Sequence, residues 1–370
     1  MATKVILHIG QQKSGTTYLQ EILGSCTDGL AAKAGILFPP SLREILPDAI
    51  ENHERAAYGL LGTEFPWVSA ERAEAEQRKW ARLSERVRDW PGTVLLSAEA
   101  LSVIRAPAVQ RLAEELRPAE LDVVITTRAL GRTLPSLWQQ HVRNGRSLGA
   151  RQFFESLAEQ RDRGGRAIEE ERHLHLWRSF ALGGLVRRWT GVAGRITVII
   201  NPGTPPDLLW HRFADTIGAQ TDLPPENLLV RRTHAGLSLP ETELMMHLNR
   251  AIEAAGWDDF EARALRERIL TESAQPRGPR IGVPEAASEL VQRWSEEDLD
   301  DLHRTGATVL GDVDDLRFRP ERDVHPSVSA QQLGEAAATA IMAVADRTHF
   351  KPPHRRRRPL YRKLNPNRWT

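Results

Sequence analysis

VILHIGQQKSGTTYLQ, which spans residues 5–20, is the stretch of this sequence that decides its fold. Its first five residues form an aliphatic, largely β-branched run that Gly10 ends, and such a run is typical of a buried strand. From Tyr18 onward apolar residues recur at helical spacings. A strand that opens through a polar, glycine-containing loop onto a helix predicts an anion site, because the free N–H groups and the dipole at a helix start favour negative charge.

The residues of the loop fit a phosphate-like ligand. Gly15 lets the backbone approach a ligand closely, Ser14, Thr16 and Thr17 offer hydroxyl donors, and Lys13 adds a mobile point charge. In the Walker A loop of ATPases the lysine directly follows a glycine and precedes Ser or Thr. Here Lys13 comes before Gly15. The loop therefore predicts a phosphate-bearing ligand, but its residue order is not that of an ATPase loop.

QKSGTTYLQ closely resembles the 5′-phosphosulfate loop of sulfotransferases that use 3′-phosphoadenosine 5′-phosphosulfate. The pattern of that family is Lys-Ser-Gly-Thr-Thr followed by a bulky residue. The resemblance implies a fold related to P-loop kinases and a sulfated nucleotide as co-substrate, held by residues 13–17. It also implies that no magnesium-bound triphosphate is needed.

A second stretch, VVITTRALGRTLPSLWQQHVRNG, also resembles the family. Arg128 directly follows a predicted buried strand and Ser136 comes eight residues later, which is the spacing of the two family residues that bind the 3′-phosphate of the donor. Arginine can grip a phosphate with two parallel hydrogen bonds. The plainer interpretation is an arginine at a strand end and a serine in a helix. Arg128 is also a poor magnesium ligand at the position where a P-loop kinase carries an acidic residue, and no zinc-ligand spacing is present, so no metal is expected.

Other segments resemble bacterial sulfotransferase-like proteins, so the likeness covers most of residues 4–317, although only the first two motifs are specific. These segments are ITVIINPGTPPDLLWHRFADTIG, VRRTHAGLSLPETELMMHLNR and VLGDVDDL. The family's late basic loop, which binds the 3′-phosphate, is not recognisable in its usual Arg-Lys-Gly form. Arg231 and Arg232 are its candidate substitutes, and they are equally compatible with surface arginines.

A catalytic base is expected directly after the strand TVLLS, residues 93–97. Cytosolic sulfotransferases carry a histidine there and carbohydrate sulfotransferases a glutamate, and the matching residue here is Glu99. A carboxylate at a strand end can serve as general base, although Glu99 could equally favour the start of a helix. His53 is the reserve candidate for the base, and His173 and His175 are interpreted as solvated helix residues. By this resemblance a glutamate base favours a sugar hydroxyl, in a glycan, a glycolipid or a small metabolite.

Strands and helices alternate up to about residue 217, which predicts an α/β fold with a P-loop-type parallel sheet flanked by helices. Residues 174–189 are predicted to form one apolar helix, and after about residue 235 the patterns are almost only helical. We expect one sulfotransferase-like domain over residues 1–320, a helical extension over 321–350 and a mobile tail over 351–370. The predicted strands are residues 5–9, 35–39, 93–97, 121–127 and 195–200.

The composition excludes several classes of protein. The chain has 370 residues with a formal net charge of +1, so no overall charge favours nucleic acid. Its single cysteine, Cys26, excludes an internal disulfide and is predicted to be a buried small hydrophobe. The sequence has neither a secretory leader pattern nor a long apolar run, so a cytoplasmic protein is expected.

The last twenty residues differ from the rest of the chain. Residues 351–370 hold eight basic residues and no acidic one, so the remaining 42 basic and 49 acidic residues give the body a net charge of −7. A basic, Pro-rich segment of this kind predicts a mobile tail that contacts an anionic membrane, at its inner face, or an acidic partner.

Two other functions remain open from the sequence. One is a small-molecule kinase with an unusual loop, which would need a metal ion. The other is a non-catalytic protein that binds a nucleotide or a partner, which would bind the donor without turnover.

Overall fold

The computed structural model describes residues 2–39, 53–229, 236–272 and 279–345. A six-stranded, fully parallel sheet forms its centre, in the order β2-β3-β1-β4-β5-β6. The strands are β1 Lys4–His8, β2 Ile36–Leu37, β3 Thr93–Ser97, β4 Glu120–Thr127, β5 Arg195–Ile200 and β6 Thr308–Leu310.

Helices follow nearly every strand and continue beyond the last large strand. Those in the first half of the chain are α1 Thr16–Ser25, α2 Thr27–Ala34, α3 His53–Leu61, α4 Ala70–Asp89, α5 Ala106–Leu116, α6 Leu130–Arg143, α7 Ala150–Asp162 and α8 Gly164–Glu170. Those in the second half are α9 His175–Phe180, α10 Leu182–Thr190, α11 Leu208–Ile217, α12 Glu226–Leu229, α13 Leu239–Ala254, α14 Asp259–Glu272, α15 Ser288–His303, α16 Pro320–Asp323 and α17 Ala330–Val344.

Both faces of the sheet are buried, which explains the nearly continuous apolar strands. Alternate residues of β1 enter two different cores: Val5 and Leu7 pack with α5 and α10, whereas Ile6 packs with α1 and α11. A third core lies beyond the sheet, between α6, α7, α9, α13 and α15. Leu299 and Leu302 of α15 reach the first of these cores, so part of the helical C-terminal region packs against the sheet.

The strand order determines where a ligand can bind. β1 lies between β3 and β4, and the chain crosses from one side of β1 to the other when it passes from β3 to β4. Open parallel sheets bind ligands outside the carboxyl ends of their strands at such a switch point. The loop after β1, the segment after β3 and the segment after β4 therefore converge on one edge of the sheet.

The predicted α/β fold class is confirmed, and the five predicted strands are all present. The sixth strand, β6, was not predicted, because it has only three residues and glycine-containing turn sequence lies on both sides of it. α7 was not predicted either. The predicted helix over 174–189 is wrong: Ala181 leaves the helical conformation and separates α9 from α10.

The helix break at Ala181 has a physical cause in the surrounding side chains. The last carbonyl groups of a helix lack partners within the helix. Here the carbonyl of Arg178 accepts a hydrogen bond from Arg188, and those of Ser179 and Phe180 accept from Gln11. These side chains lie up to 169 residues away, so a local pattern cannot predict the break.

The remaining predictions about organisation have different outcomes. Cys26 is buried, as predicted. α17 packs against α13 and α14, and the division into a domain, an extension and a tail stays a prediction. The basic segment 351–370 lies outside the described residues. Within the described ranges, no helix combines the length and the apolar character needed to span a membrane.

Candidate active site

The loop between β1 and α1 lies at the carboxyl end of the central strand, with its backbone tightly enclosed. A Cβ on Gly10 would lie 2.0 Å from Thr126 Oγ1, and one on Gly15 would lie 2.9 Å from Asn201 Nδ2. Gly15 has φ 106° and Lys13 has φ 65°, so both adopt the left-handed region. This region is unfavourable for a residue with a side chain, so Lys13 is held in a strained backbone conformation at the start of α1.

Hydrogen bonds to three distant parts of the chain hold the loop. Gln11 Nε2 donates to the carbonyl of Ser179 at 2.8 Å, and Asn201 Nδ2 donates to the carbonyl of Ser14 at 2.7 Å. Gln11 Oε1 accepts a hydrogen bond from Thr127 Oγ1 at 2.6 Å. The loop is therefore fixed to α9, to β4 and to the turn after β5.

A directed chain of buried hydrogen bonds runs beneath the loop. Ser14 Oγ donates to the Gln11 carbonyl at 2.6 Å, so Thr126 Oγ1, 2.7 Å from Ser14 Oγ, is the donor in that contact. Thr126 then accepts from His8 Nε2 at 3.1 Å, and His8 Nδ1 accepts from Ser97 Oγ at 2.9 Å. Each hydroxyl has a single proton, so the direction of every bond in the chain follows from the first. Burial lowers the pKa of His8 to about 3, which agrees with a neutral ring.

The predicted base and the predicted loop lie side by side. The hydroxyl of Thr16, the first residue of α1, donates to Glu99 Oε2. Glu99 begins a short 3-10 helix, Glu99–Val103, directly after β3, as its position behind the strand TVLLS predicts. β1 and β3 pair from Lys4 with Thr93 to His8 with Ser97, so the two segments leave the sheet together.

The electrostatic surroundings of Glu99 suit a proton acceptor near neutral pH. Burial raises its pKa to about 7, the hydrogen bond from Thr16 and the charge of Lys13 lower it, and the charge of Glu54 raises it further. Burial also lowers the pKa of Lys13, an effect that the charge of Glu99 opposes and that of Arg143 reinforces. The charges of Lys13 and Glu99 thus act on each other, although the two residues come from different loops.

His53, the reserve candidate for the base, is buried and both of its ring nitrogens are engaged. Nδ1 accepts a hydrogen bond from the backbone N–H of Ser97 at 2.8 Å, so Nε2 carries the proton and donates to the carbonyl of Pro39 at 3.1 Å. Burial lowers the pKa of His53 to about 4. His53 thus joins α3 to the end of β3 and has no free nitrogen with which to accept a proton.

Arg128 lies directly after β4, as predicted, and one nitrogen of its guanidinium, Nε, is buried without a hydrogen-bond partner among the described residues. Burial and the charge of Arg132 lower its pKa to about 10, with Asp323 opposing the effect. A Cβ on Gly203 would lie 3.4 Å from nitrogens of both Arg128 and Arg132, so two guanidinium groups flank one point. Because uncompensated buried cations are costly, this arrangement fits an anionic ligand group.

The other predicted nucleotide contacts are distributed as follows. Ser136 is half-buried on α6, two turns after Arg128. The hydroxyls of Ser14 and Thr16 point into the protein, whereas Thr17 is exposed at the start of α1. Arg231 and Arg232 lie outside the described residues.

The two histidines that were interpreted as solvated helix residues have different surroundings. His173 is exposed, but His175 is half-buried, and burial together with the charge of Arg178 lowers its pKa to about 4. Within the described ranges, no group of three or more His, Cys, Asp or Glu side chains could hold a metal ion.

Several site residues were missed by sequence reasoning. The loop is held by His8, Gln11, Thr126 and Asn201. The guanidinium of Arg132 lies beside that of Arg128. One indication was available for His8, since a histidine inside an otherwise aliphatic buried strand needs hydrogen-bond partners. The other four depend on contacts between distant parts of the chain.

Comparisons with known proteins give one structural likeness. The chain is similar to the crystal structure of a sulfotransferase from Alicyclobacillus acidocaldarius, with 18% sequence identity and a TM-score of 0.40. The alignment covers 70% of this chain and 98% of that one. No protein-family model and no curated protein matches the chain. At this identity and TM-score the likeness carries no weight for activity, which has to be inferred from the site itself.

Proposed function

We propose that this protein is a sulfotransferase that moves a sulfuryl group from 3′-phosphoadenosine 5′-phosphosulfate to a hydroxyl of a glycan, a glycolipid or a small metabolite. The observation that carries the proposal is the hydrogen bond from the Thr16 hydroxyl to Glu99, which places this carboxylate against the phosphate-type loop that carries Lys13. Sulfuryl transfer to an alcohol needs both groups: one for the leaving oxygen and one for the proton of the acceptor.

The two residues act on opposite ends of the reaction. Glu99 accepts the proton of the acceptor hydroxyl while the acceptor oxygen forms a bond to sulfur. The bond between sulfur and the bridging oxygen breaks, and adenosine 3′,5′-bisphosphate leaves with the additional negative charge. Lys13 stabilises that charge on the bridging oxygen, with the backbone N–H groups at the start of α1 and the exposed hydroxyl of Thr17.

Arg128, Arg132 and Ser136 are proposed to hold the 3′-phosphate. The support is the buried, unpartnered Nε of Arg128 and the second guanidinium beside it, because a phosphate would supply the missing acceptor and offset the repulsion between the arginines. Ser14 and Thr16 are proposed to contact the donor through their backbone. Arg231 and Arg232 stay candidates for the same phosphate.

Glu99 is preferred over His53 as the base for a geometric reason. The His53 ring makes two hydrogen bonds to backbone groups, and accepting a further proton at Nδ1 would break the bond from Ser97. The Glu99 carboxylate has its second oxygen free of the bond that Thr16 makes to Oε2.

The decisive experiment follows ³⁵S from labelled donor into candidate acceptors, with and without EDTA. We expect transfer that EDTA leaves unchanged. Transfer of labelled γ-phosphate from ATP that depends on magnesium would instead favour the kinase. Binding of adenosine 3′,5′-bisphosphate without any transfer would favour a non-catalytic nucleotide-binding protein.

The basic segment 351–370 is proposed to contact an anionic membrane or an acidic partner, since clustered basic residues gain about 1 kcal/mol each near an anionic surface. Pelleting with vesicles that contain phosphatidylserine tests the membrane contact. The intact chain should pellet and a chain that ends at residue 350 should stay in solution.

A further inference from the structure

One exposed aromatic side chain is linked through its neighbours to the proposed reaction centre. Trp67 is 40% exposed, and its indole nitrogen donates to Tyr58 Oη at 2.9 Å. Its ring meets that of His175 edge-on, with centroids 5.5 Å apart and planes at 62°. Trp67 is therefore held from two sides while much of its surface faces solvent.

From Trp67 a series of contacts leads to the base. Tyr58 Oη donates to the carboxylate of Glu54, which lies one turn earlier on α3. The start of α3 is joined to the end of β3 by the hydrogen bond between His53 and Ser97. Glu54 is therefore close enough to Glu99 for its charge to raise the pKa of that carboxyl group.

From His175 a second series leads to the lysine. α9, which His175 begins, is fixed to the 3-10 helix that carries Glu99, because Arg178 Nε donates to the carbonyl of Val103 at 2.7 Å and the Ser102 and Ser179 hydroxyls lie 2.8 Å apart. Burial lowers the pKa of His141, and the charges of Arg146 and Lys13 lower it further. The charge of His141 contributes in turn to the low pKa of His175.

The two series thus connect Trp67 and His175 with Glu99 and Lys13. We call the five residues between them the acceptor rim: Glu54, Tyr58, Trp67, His141 and His175. Four of its members carry groups that exchange hydrogen bonds with hydroxyls, and the fifth offers a flat indole face.

We propose that the acceptor rim binds a sugar ring, packed by its C–H face on Trp67 and hydrogen-bonded through its hydroxyls to Glu54 and His175. This inference deepens the proposed function and rests on it. A pyranose has one face of C–H groups and a periphery of hydroxyls, which matches an exposed aromatic surface beside polar side chains. A bound sugar would place one hydroxyl toward Glu99.

The state of His175 fits this role. Its Nδ1 lies 3.2 Å from the carbonyl of His173, which can only accept, so Nδ1 carries the proton. The pKa of about 4 leaves the ring neutral at pH 7. Nε2 is therefore a hydrogen-bond acceptor that can receive the proton of a sugar hydroxyl.

The test measures sugar binding without the donor, so that it is independent of transfer. Saturation-transfer NMR with methyl glucoside, methyl galactoside, methyl mannoside and N-acetylglucosamine provides the probes, with p-cresol and 1-octanol as comparators. We expect at least one sugar to bind, and Trp67→Ala to weaken it at least tenfold. Trp67→Phe should retain most of the affinity because it keeps an aromatic face. Trp257→Ala is the matched control, since Trp257 is 48% exposed elsewhere on the surface, and it should bind as the unmodified protein does.

Calorimetry with adenosine 3′,5′-bisphosphate separates the two proposals. If Trp67→Ala binds this nucleotide normally and loses the sugar, both stand. If the unmodified protein binds the sugar through Trp67 but not the nucleotide, the proposed sulfotransferase is wrong while the sugar site is correct. Binding of p-cresol or octanol in preference to every sugar, or equal sugar affinity in Trp67→Ala, overturns the sugar site.

Discussion

Replacement of Glu99 by glutamine should make the protein more stable at alkaline pH while it slows transfer. Burial raises the pKa of Glu99 from 4.5 to about 7, so the folded protein holds a proton over a pH range in which the unfolded chain has released it. The stability that this proton contributes is fully present below the unfolded pKa. It is lost as the pH rises through the folded pKa.

The size of the effect follows from the two pKa values. By linkage, the raised pKa of Glu99 costs about 1 kcal/mol of stability at pH 5 and about 3 kcal/mol at pH 8 relative to a group with an unshifted pKa. Glutamine has the same shape and no charge, so Glu99→Gln does not incur this cost. Between pH 5 and pH 8, the difference in free energy of unfolding between the variant and the unmodified protein should therefore increase by about 2 kcal/mol in favour of the variant.

Urea denaturation at half-unit steps between pH 5 and pH 8 measures this difference. Other ionisable groups contribute to both proteins and cancel in the comparison. Glu114→Gln is the control, because Glu114 is exposed and its carboxylate accepts a hydrogen bond from Gln110, one turn earlier on α5. A constant difference between Glu99→Gln and the unmodified protein across this range would show that the carboxyl group of Glu99 is not shifted by burial, and the reasoning would fail.

Four further outcomes are expected. The rate of transfer should rise with pH through about 7 as Glu99 loses its proton. Glu99→Gln should turn over about 10²–10⁴-fold more slowly and bind the nucleotide with normal affinity. An inactive His53→Ala variant together with an active Glu99→Gln variant would show that His53 is the base. Lys13→Ala and Lys13→Gly should both lose transfer, but in urea denaturation the glycine variant should be more stable by roughly 1 kcal/mol because Lys13 has φ 65°. Arg128→Ala should reduce the calorimetric preference for adenosine 3′,5′-bisphosphate over adenosine 5′-phosphate about tenfold or more, as a charge-assisted bond contributes roughly 1.5–3 kcal/mol, and an unchanged preference would exclude the 3′-phosphate role. His8→Leu should lower the free energy of unfolding by about 1–3 kcal/mol in urea, since it removes one buried hydrogen-bond partner from each of the Ser97 and Thr126 hydroxyls; unchanged stability would show that the buried chain is not needed.

The parts of the site that the sequence predicts are those that follow a strand end. Lys13 lies in the loop after β1, Glu99 in the segment after β3 and Arg128 directly after β4. Parallel strands bring their carboxyl ends to one edge, so recognising the strands suffices to place all three residues at that edge. His175 follows no strand and could not be placed in this way. Its position depends on how α9 packs against a loop that lies more than 160 residues earlier. Asn201 directly follows β5, but its bond to the loop depends on a contact between segments 187 residues apart.

The short helix α9 has a consequence for the order in which ligands bind. The carbonyls at its end hold Gln11 of the loop, and its first residue, His175, belongs to the acceptor rim. This six-residue helix thus connects the donor loop with the acceptor rim. When a bound nucleotide makes the loop more rigid, we expect α9 and the rim to become more rigid as well. Each ligand should then lower the entropic cost of binding the other, and the two affinities should rise by the same factor.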